Sequence, residues 1–146
     1  MNLMKPYQKY VIENPQPEEL AFHGMGLETL YKVLLSNKLV PKVNYYVTIA
    51  EIDKIPPCNP TCEIHTHAVD QIAIYIGKPG TFEVTYALVP HGKETIDKFK
   101  AHKEDEYTIK STGCFFIPKG LRHNVRFDRV DEPIIEVSLL MKGSYP

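Results

Sequence analysis

Short runs of β-forming residues, each closed by proline or glycine, limit what this chain can fold into more than any other feature. Val43 to Ile52 is rich in Val, Ile, Tyr and Thr, and Ile72-Ala73-Ile74-Tyr75-Ile76 stops at Gly77-Lys78-Pro79-Gly80. Thr81 to Val89 alternates, with Phe82, Val84, Tyr86 and Leu88 on one face. Similar runs follow at Tyr107 to Lys110, Cys114 to Ile117, His123 to Phe127 and Ile134 to Met141. β-branched and aromatic side chains fit a pleated surface, while proline and glycine supply the turns. Many short strands between turns predict an all-β sandwich or barrel. Twelve prolines and nine tyrosines fit that texture better than a helical bundle.

The first 42 residues read differently. Glu13 to Glu19 is polar and proline-broken, a loop or the end of an arm. Leu27, Leu30, Tyr31, Leu34 and Leu35 recur at helical spacing and predict a short amphipathic helix ending near Ser36-Asn37, with strand as the alternative because the run is short. One domain over 1–146 is expected, with 1–42 as an N-terminal extension and 43–141 as the barrel. A formal net charge of -1 argues against a nucleic-acid or anionic-membrane partner. The first residues lack the pattern of a secretory leader, and no apolar run reaches membrane length. Three cysteines, an odd number, fit reduced thiols. A cytoplasmic protein is expected. The polar stretch from His91 to Glu106 reads as a solvated excursion, able to cover the mouth of a barrel.

Chemistry concentrates in two stretches. In His65-Thr66-His67-Ala68-Val69-Asp70-Gln71, the two histidines fall on one face of an extended strand and can present two imidazoles to one metal ion. Gln71 shares their parity. The second stretch is Gly113-Cys114-Phe115-Phe116-Ile117-Pro118-Lys119-Gly120-Leu121-Arg122-His123. Here an apolar strand meets a Pro-x-Gly turn, and a new strand begins with His123. Val125 and Phe127 share the parity of His123, so that histidine faces an apolar interior and needs a partner. Cys114, inside the apolar run, is expected in the core. Arg122 and Arg126 have the opposite parity and are expected to face outward.

In this order the two stretches resemble the paired motifs of the cupin superfamily, over roughly 43–141. His65, His67, Gln71 and Gly77 stand where the first motif has His-x-His, glutamate and glycine. Gly113, Pro118, Gly120 and His123 stand where the second has glycine, Pro-x-Gly and histidine. Phe116 to His123, with Arg129 to Ile134, also resembles a group of small prokaryotic single-domain cupins. The resemblance implies an all-β, cupin-type jelly-roll β-barrel, here with an N-terminal arm or short helix, and a metal inside it. It implies His65, His67 and His123 as ligands, with Gln71 in the place of the glutamate. Asp70, swung in by a bulge, and water are the other candidates for that position. A separate zinc set of Cys58, Cys62, His65 and His67 also has to be weighed, although its spacing is unusual and leaves the second stretch unexplained.

Three imidazoles and an oxygen suit Fe, Mn, Ni, Cu or Zn as the divalent transition metal. Gln71 brings no negative charge, so the site should favour an anionic ligand. The resemblance implies a metal-dependent enzyme acting on a small organic acid or carbonyl compound, of oxygenase, isomerase or decarboxylase type. The alternative is a non-catalytic module that binds a metal and a small anion, or a barrel merely pinned by its metal. A homodimer is expected, because a lone barrel of this size has strand edges to cover.

Overall fold

The computed structural model describes residues 8–13, 15–17, 27 and 30–142. Among these residues nine strands follow in chain order: β1 (Gln16–Pro17), β2 (Lys32–Leu35), β3 (Tyr46–Ile52), β4 (Gln71–Ile76), β5 (Phe82–Val89), β6 (Glu106–Ile109), β7 (Gly113–Ile117), β8 (Arg122–Val130) and β9 (Ile134–Leu140). Among the described residues, helix is limited to single 3-10 turns at Gln8–Tyr10 and Lys103–Asp105. A six-stranded sheet runs β1-β2-β3-β9-β4-β7, and a three-stranded sheet runs β6-β5-β8. Every pairing is antiparallel. The architecture is all-β and of jelly-roll type.

The core lies between the sheets. Ala73, Tyr75, Phe115 and Ile117 come from the large sheet, and Phe82, Val84, Tyr86, Val125 and Phe127 from the small one. Tyr86 stacks on Phe115 at 4.4 Å between ring centres, and Tyr75 meets Phe127 edge-on at 6.1 Å. Such pairs add about 0.5–1.5 kcal/mol each beyond simple burial. Gly77 closes β4 at a crowded corner. A Cβ there would lie 2.6 Å from Ile134 and 2.9 Å from Phe82, so the glycine is required by close approach.

The large sheet is polarised in an unusual sense. Its inward positions carry Tyr46, Thr48 and Ala50 on β3, Glu136, Ser138 and Leu140 on β9, and Gln71, Ala73 and Tyr75 on β4, all in register. The outward positions carry Val47 and Ile49, then Ile135, Val137 and Leu139, then Ile72, Ile74 and Ile76, then Cys114 and Phe116. Several polar groups therefore point in, and the outward face is mainly aliphatic with the exposed Glu51 opposite Ile135 on its β3 side, unlike a sheet with one face in water.

Three expectations are corrected. The helix read from Leu27 to Leu35 gives way to the alternative: Lys32–Leu35 is a strand paired with Val47, Thr48 and Ile49. A run of this length has too few turns for helix periodicity to prevail over an edge that offers ladder hydrogen bonds. Cys114 is exposed, because Phe115 and Ile117 take the inward positions of β7. The 90–105 segment does not cover the barrel mouth. It docks on the outward face of the small sheet, where Ala101 packs against Ala87, Val89 and Ile64. Asn124 donates to the Phe99 carbonyl at 2.8 Å, Arg122 donates to the Lys93 carbonyl, and Lys93 pairs with the buried Asp105 at 2.7 Å.

Candidate metal centre

The segment carrying His65 and His67 is laid along β8 by backbone-like contacts. Asn59 donates from Nδ2 to the Phe127 carbonyl and accepts from the Phe127 N–H, both at 2.8 Å, imitating a strand residue. Thr61 N–H then donates to Val125, and His65 and His123 exchange both backbone hydrogen bonds, at 3.0 and 2.8 Å. This bridge puts three imidazoles together, with ring centres 4.6 to 5.2 Å apart.

The Pro118-Lys119-Gly120 turn is formed as the sequence predicts, with Gly120 at φ +79 and Leu121 N–H bonded to Pro118. The turn also braces the other stretch. Gly120 N–H donates to the His67 carbonyl at 2.8 Å, and Lys119 N–H donates to Asp70 Oδ1 at 2.8 Å. Asp70 is thus held by the turn, and it does not line the cavity described below.

His65, His67 and His123 each offer a nitrogen within 4.8 Å of the others, the one such group of His, Cys, Asp and Glu among the described residues. His65 Nδ1 lies 2.8 Å from the Glu63 carbonyl oxygen, and His123 Nδ1 lies 2.9 Å from that of Leu121. Carbonyls only accept, so both Nδ1 atoms carry the hydrogen and both Nε2 atoms present a lone pair. His65 Nε2 and His67 Nε2 are 3.2 Å apart. Neighbouring ligand atoms about 2.1 Å from one ion would be separated by about 3 Å. Burial lowers the pKa of His65. It lowers that of His123 further, to about 3, with His65 adding to the effect. Both rings stay neutral, as ligation requires.

Gln71 starts β4 and lines the same cavity. Its Nε2 donates to Ser138 Oγ at 2.8 Å, which fixes the amide and leaves the carbonyl oxygen for other use. That Oε1 is buried and has no hydrogen-bond partner. An unsatisfied buried carbonyl costs about 1–3 kcal/mol, and a cation would remove the cost. The donor set therefore fits a divalent transition metal. The cysteine set does not form: Cys58 donates to the Pro60 carbonyl, while burial pushes the Cys62 thiol up to about 12. The asparagine that follows His123, Asn124, serves as a tether, donating to Phe99 and Cys62 carbonyls.

The cavity has a volume of about 40 Å³, room for a few waters or a small ligand. Beyond the imidazoles its wall includes Glu136, Tyr31 and Tyr86. Glu136 is only 5 % exposed and accepts a hydrogen bond from Tyr31 at 3.0 Å. The phenols of Tyr75 and Tyr86 are 3.1 Å apart. Burial holds all three phenols well above the ordinary tyrosine pKa, with the Glu136 charge adding to it, so they remain protonated. Sequence reasoning missed Glu136 and Ser138. In Ile134-Ile135-Glu136-Val137-Ser138-Leu139-Leu140 the two polar residues share one parity, which ordinarily marks the outward face. His23 lies outside the described residues, and His91 is exposed.

Compared by sequence, the chain matches no family model and no curated protein. Compared by structure, it is similar to a sugar phosphate isomerase from a cupin superfamily of Silicibacter pomeroyi. That match has a TM-score of 0.52 and 10% identity, and covers 91% of this chain and 73% of the other. The chain has the cupin fold. Two further cupin-type matches are an oxalate decarboxylase of Bacillus subtilis and HppE in its FeII form. The first has a TM-score of 0.53 and 16% identity over 93% of this chain and 31% of that one. The second has a TM-score of 0.54 and 11% identity over 89% and 59%. At these identities the likeness concerns the fold. Among the described residues, no helix is long and apolar enough to cross a membrane.

Proposed function

We propose that this cupin is a metal-dependent enzyme acting on a small organic acid or carbonyl compound, with His65, His67, His123 and Gln71 as the protein ligands. One observation carries the reading: the buried, unpartnered Oε1 of Gln71 lines the cavity on which the three histidines converge. A divalent metal (Fe, Mn, Ni, Cu or Zn by donor type) would supply Lewis acidity and positive charge for the ligand's oxygen. The chain's own contribution is placement. The Glu63 and Leu121 carbonyls orient two imidazoles, Ser138 aims the glutamine, and the protonated tyrosines close the cavity with donors that do not ionise. Isomerase and decarboxylase names among the structural matches support the enzyme reading, and oxygenase chemistry suits the same donors.

The reading includes a cytoplasmic homodimer. A second copy of the chain is the natural cover for the aliphatic outward face of the large sheet, which carries no charge along Val137, Leu139, Ile72 and Ile74.

Gln71→Glu tests the ligand set. It adds a negative charge at nearly constant shape. By calorimetry, affinity for the metal should rise roughly tenfold, and affinity of the loaded protein for a small carboxylate should fall. His123→Ala should weaken both. If Gln71→Glu alters neither, Gln71 is not beside the metal. Tight metal and anion binding without turnover on any tested acid would make the protein a binding module.

A further inference from the structure

Tyr75 comes from β4 of the large sheet and Tyr86 from β5 of the small one, and their hydroxyl oxygens meet across the core at 3.1 Å. Both side chains are buried, at 0 % and 2 % exposed. Among the described residues, each hydroxyl has the other as its hydrogen-bond partner and no further one. Two hydroxyls bring two hydrogens, and one contact uses one of them. The second hydrogen needs an acceptor, because burying a donor without one is costly.

The two phenols are not equivalent in this respect. Tyr86 is part of the cavity wall, and Tyr75 is not. If Tyr86 donated to Tyr75, the remaining hydrogen would sit on Tyr75, enclosed in the core with nothing to accept it. If Tyr75 donates to Tyr86, the remaining hydrogen belongs to the residue that borders the cavity, where a ligand's oxygen can take it. Phe115 stacks on the Tyr86 ring at 4.4 Å and steadies it. In the register of β5 with β8, Tyr86 faces Val125 and Leu88 faces His123, so Tyr86 and His123 are diagonal neighbours on one inward face. Their rings lie nearly parallel, at 18° and 6.4 Å.

From this arrangement we infer that Tyr86 is the hydrogen-bond donor to the anionic oxygen of the cavity's ligand, a carboxylate or enolate, and that Tyr75 is the positioning residue that points the donor at it. The inference rests on the metal reading above, which brings an anion into the cavity. Accepting from Tyr75 polarises the Tyr86 O–H, so the pair donates more strongly than a lone phenol. The hydrogen stays on Tyr86, which offers a fixed dipole where negative charge collects.

Acetate is the probe, titrated by calorimetry into Mn(II)-loaded wild type, Tyr86→Phe, Tyr75→Phe and the double variant. Tyr86→Phe should weaken acetate about tenfold, the loss of one hydrogen bond to a charged group, and leave Mn(II) affinity unchanged. Tyr75→Phe should weaken acetate about threefold on its own and not at all in the Tyr86→Phe background, since Tyr75 acts through Tyr86. Acetate should also move the tyrosine absorption of the loaded wild type to longer wavelength, as donation by a phenol does, and the shift should vanish in Tyr86→Phe. Acetate held as tightly by Tyr86→Phe as by wild type, a Tyr75→Phe loss that persists in the Tyr86→Phe background, or no binding of acetate at millimolar concentration would each overturn the inference. If the variants do not fold, the wild-type spectrum decides, and an unshifted tyrosine band overturns it. Failure of the metal reading shows separately, as no uptake of Mn(II) or as equal acetate binding with and without it. The same variants on metal-free protein then decide the role of the phenols.

Discussion

The two sheets face one another across the same core, yet their outward faces are built for different surroundings. The small sheet is finished by the chain itself. Thr85 hydrogen-bonds to Thr108 and Asp128, Arg126 reaches both Glu106 and Asp128, and the 90–105 segment covers Ala87 and Val89. The large sheet presents branched aliphatics on three adjacent strands, with Ile76 49 % and Phe116 56 % exposed at its β7 side. The inward faces differ in the opposite sense. The small sheet gives aromatics and one histidine, and the large sheet gives the glutamine, serine and glutamate of the cavity. With several polar positions turned inward, the back of the large sheet is mainly aliphatic apart from Glu51, and the proposed second copy of the chain would cover it.

The largest expected effect comes from charging that back. Val137→Asp should turn the proposed dimer into a monomer by light scattering, because the carboxylate would have to enter an apolar contact. Cys114 lies on the same face and is exposed in the single chain. A thiol reagent should label it slowly in the wild type and quickly in Val137→Asp, while Cys62 resists in both. A wild-type monomer at micromolar concentration would remove the contrast between the two sheets.

Next in size is a pH effect on the small sheet's inward face. His123 has a folded pKa of about 3 against about 6.5 in an unfolded chain. As pH falls below 6.5 the unfolded state takes up the proton first. Metal-free protein should therefore lose stability between about pH 6.5 and 3, by at most about 1.4 kcal/mol per pH unit from this residue, and show no such slope above 6.5. His123→Gln should flatten the curve in denaturant melts. The smallest effect belongs to the charged outer face. Arg126→Ala should cost only about 1 kcal/mol, although the guanidinium contacts two carboxylates, because the cluster is partly open to water.

Much of the site was legible because its signals are local. His65 and His67 declare themselves by spacing, and the Pro118-Lys119-Gly120 turn fixes where His123 starts. The β texture located the strands from Tyr46 onward. What the sequence hid depended on which face of a strand would be inside. Glu136 and Ser138 share a parity that normally means solvent, and only the pairing of β9 between β3 and β4 turns them inward. Cys114 was misplaced for the same reason, since both faces of Gly113–Ile117 are apolar. Lys32–Leu35 became a strand because β3 offered it an edge, a fact that no window of a few residues contains.

His65 and His123 are backbone partners, and Gln71 is steadied by Ser138 on the last strand. During synthesis His65 and His67 emerge seconds before His123, and Gln71 gains its brace later still. An early metal ion would meet only a loose His-x-His, which holds it weakly. Capture of the proposed metal would therefore belong to the finished chain, and metal content would report completed folding: a chain stopped before β9 should emerge without it.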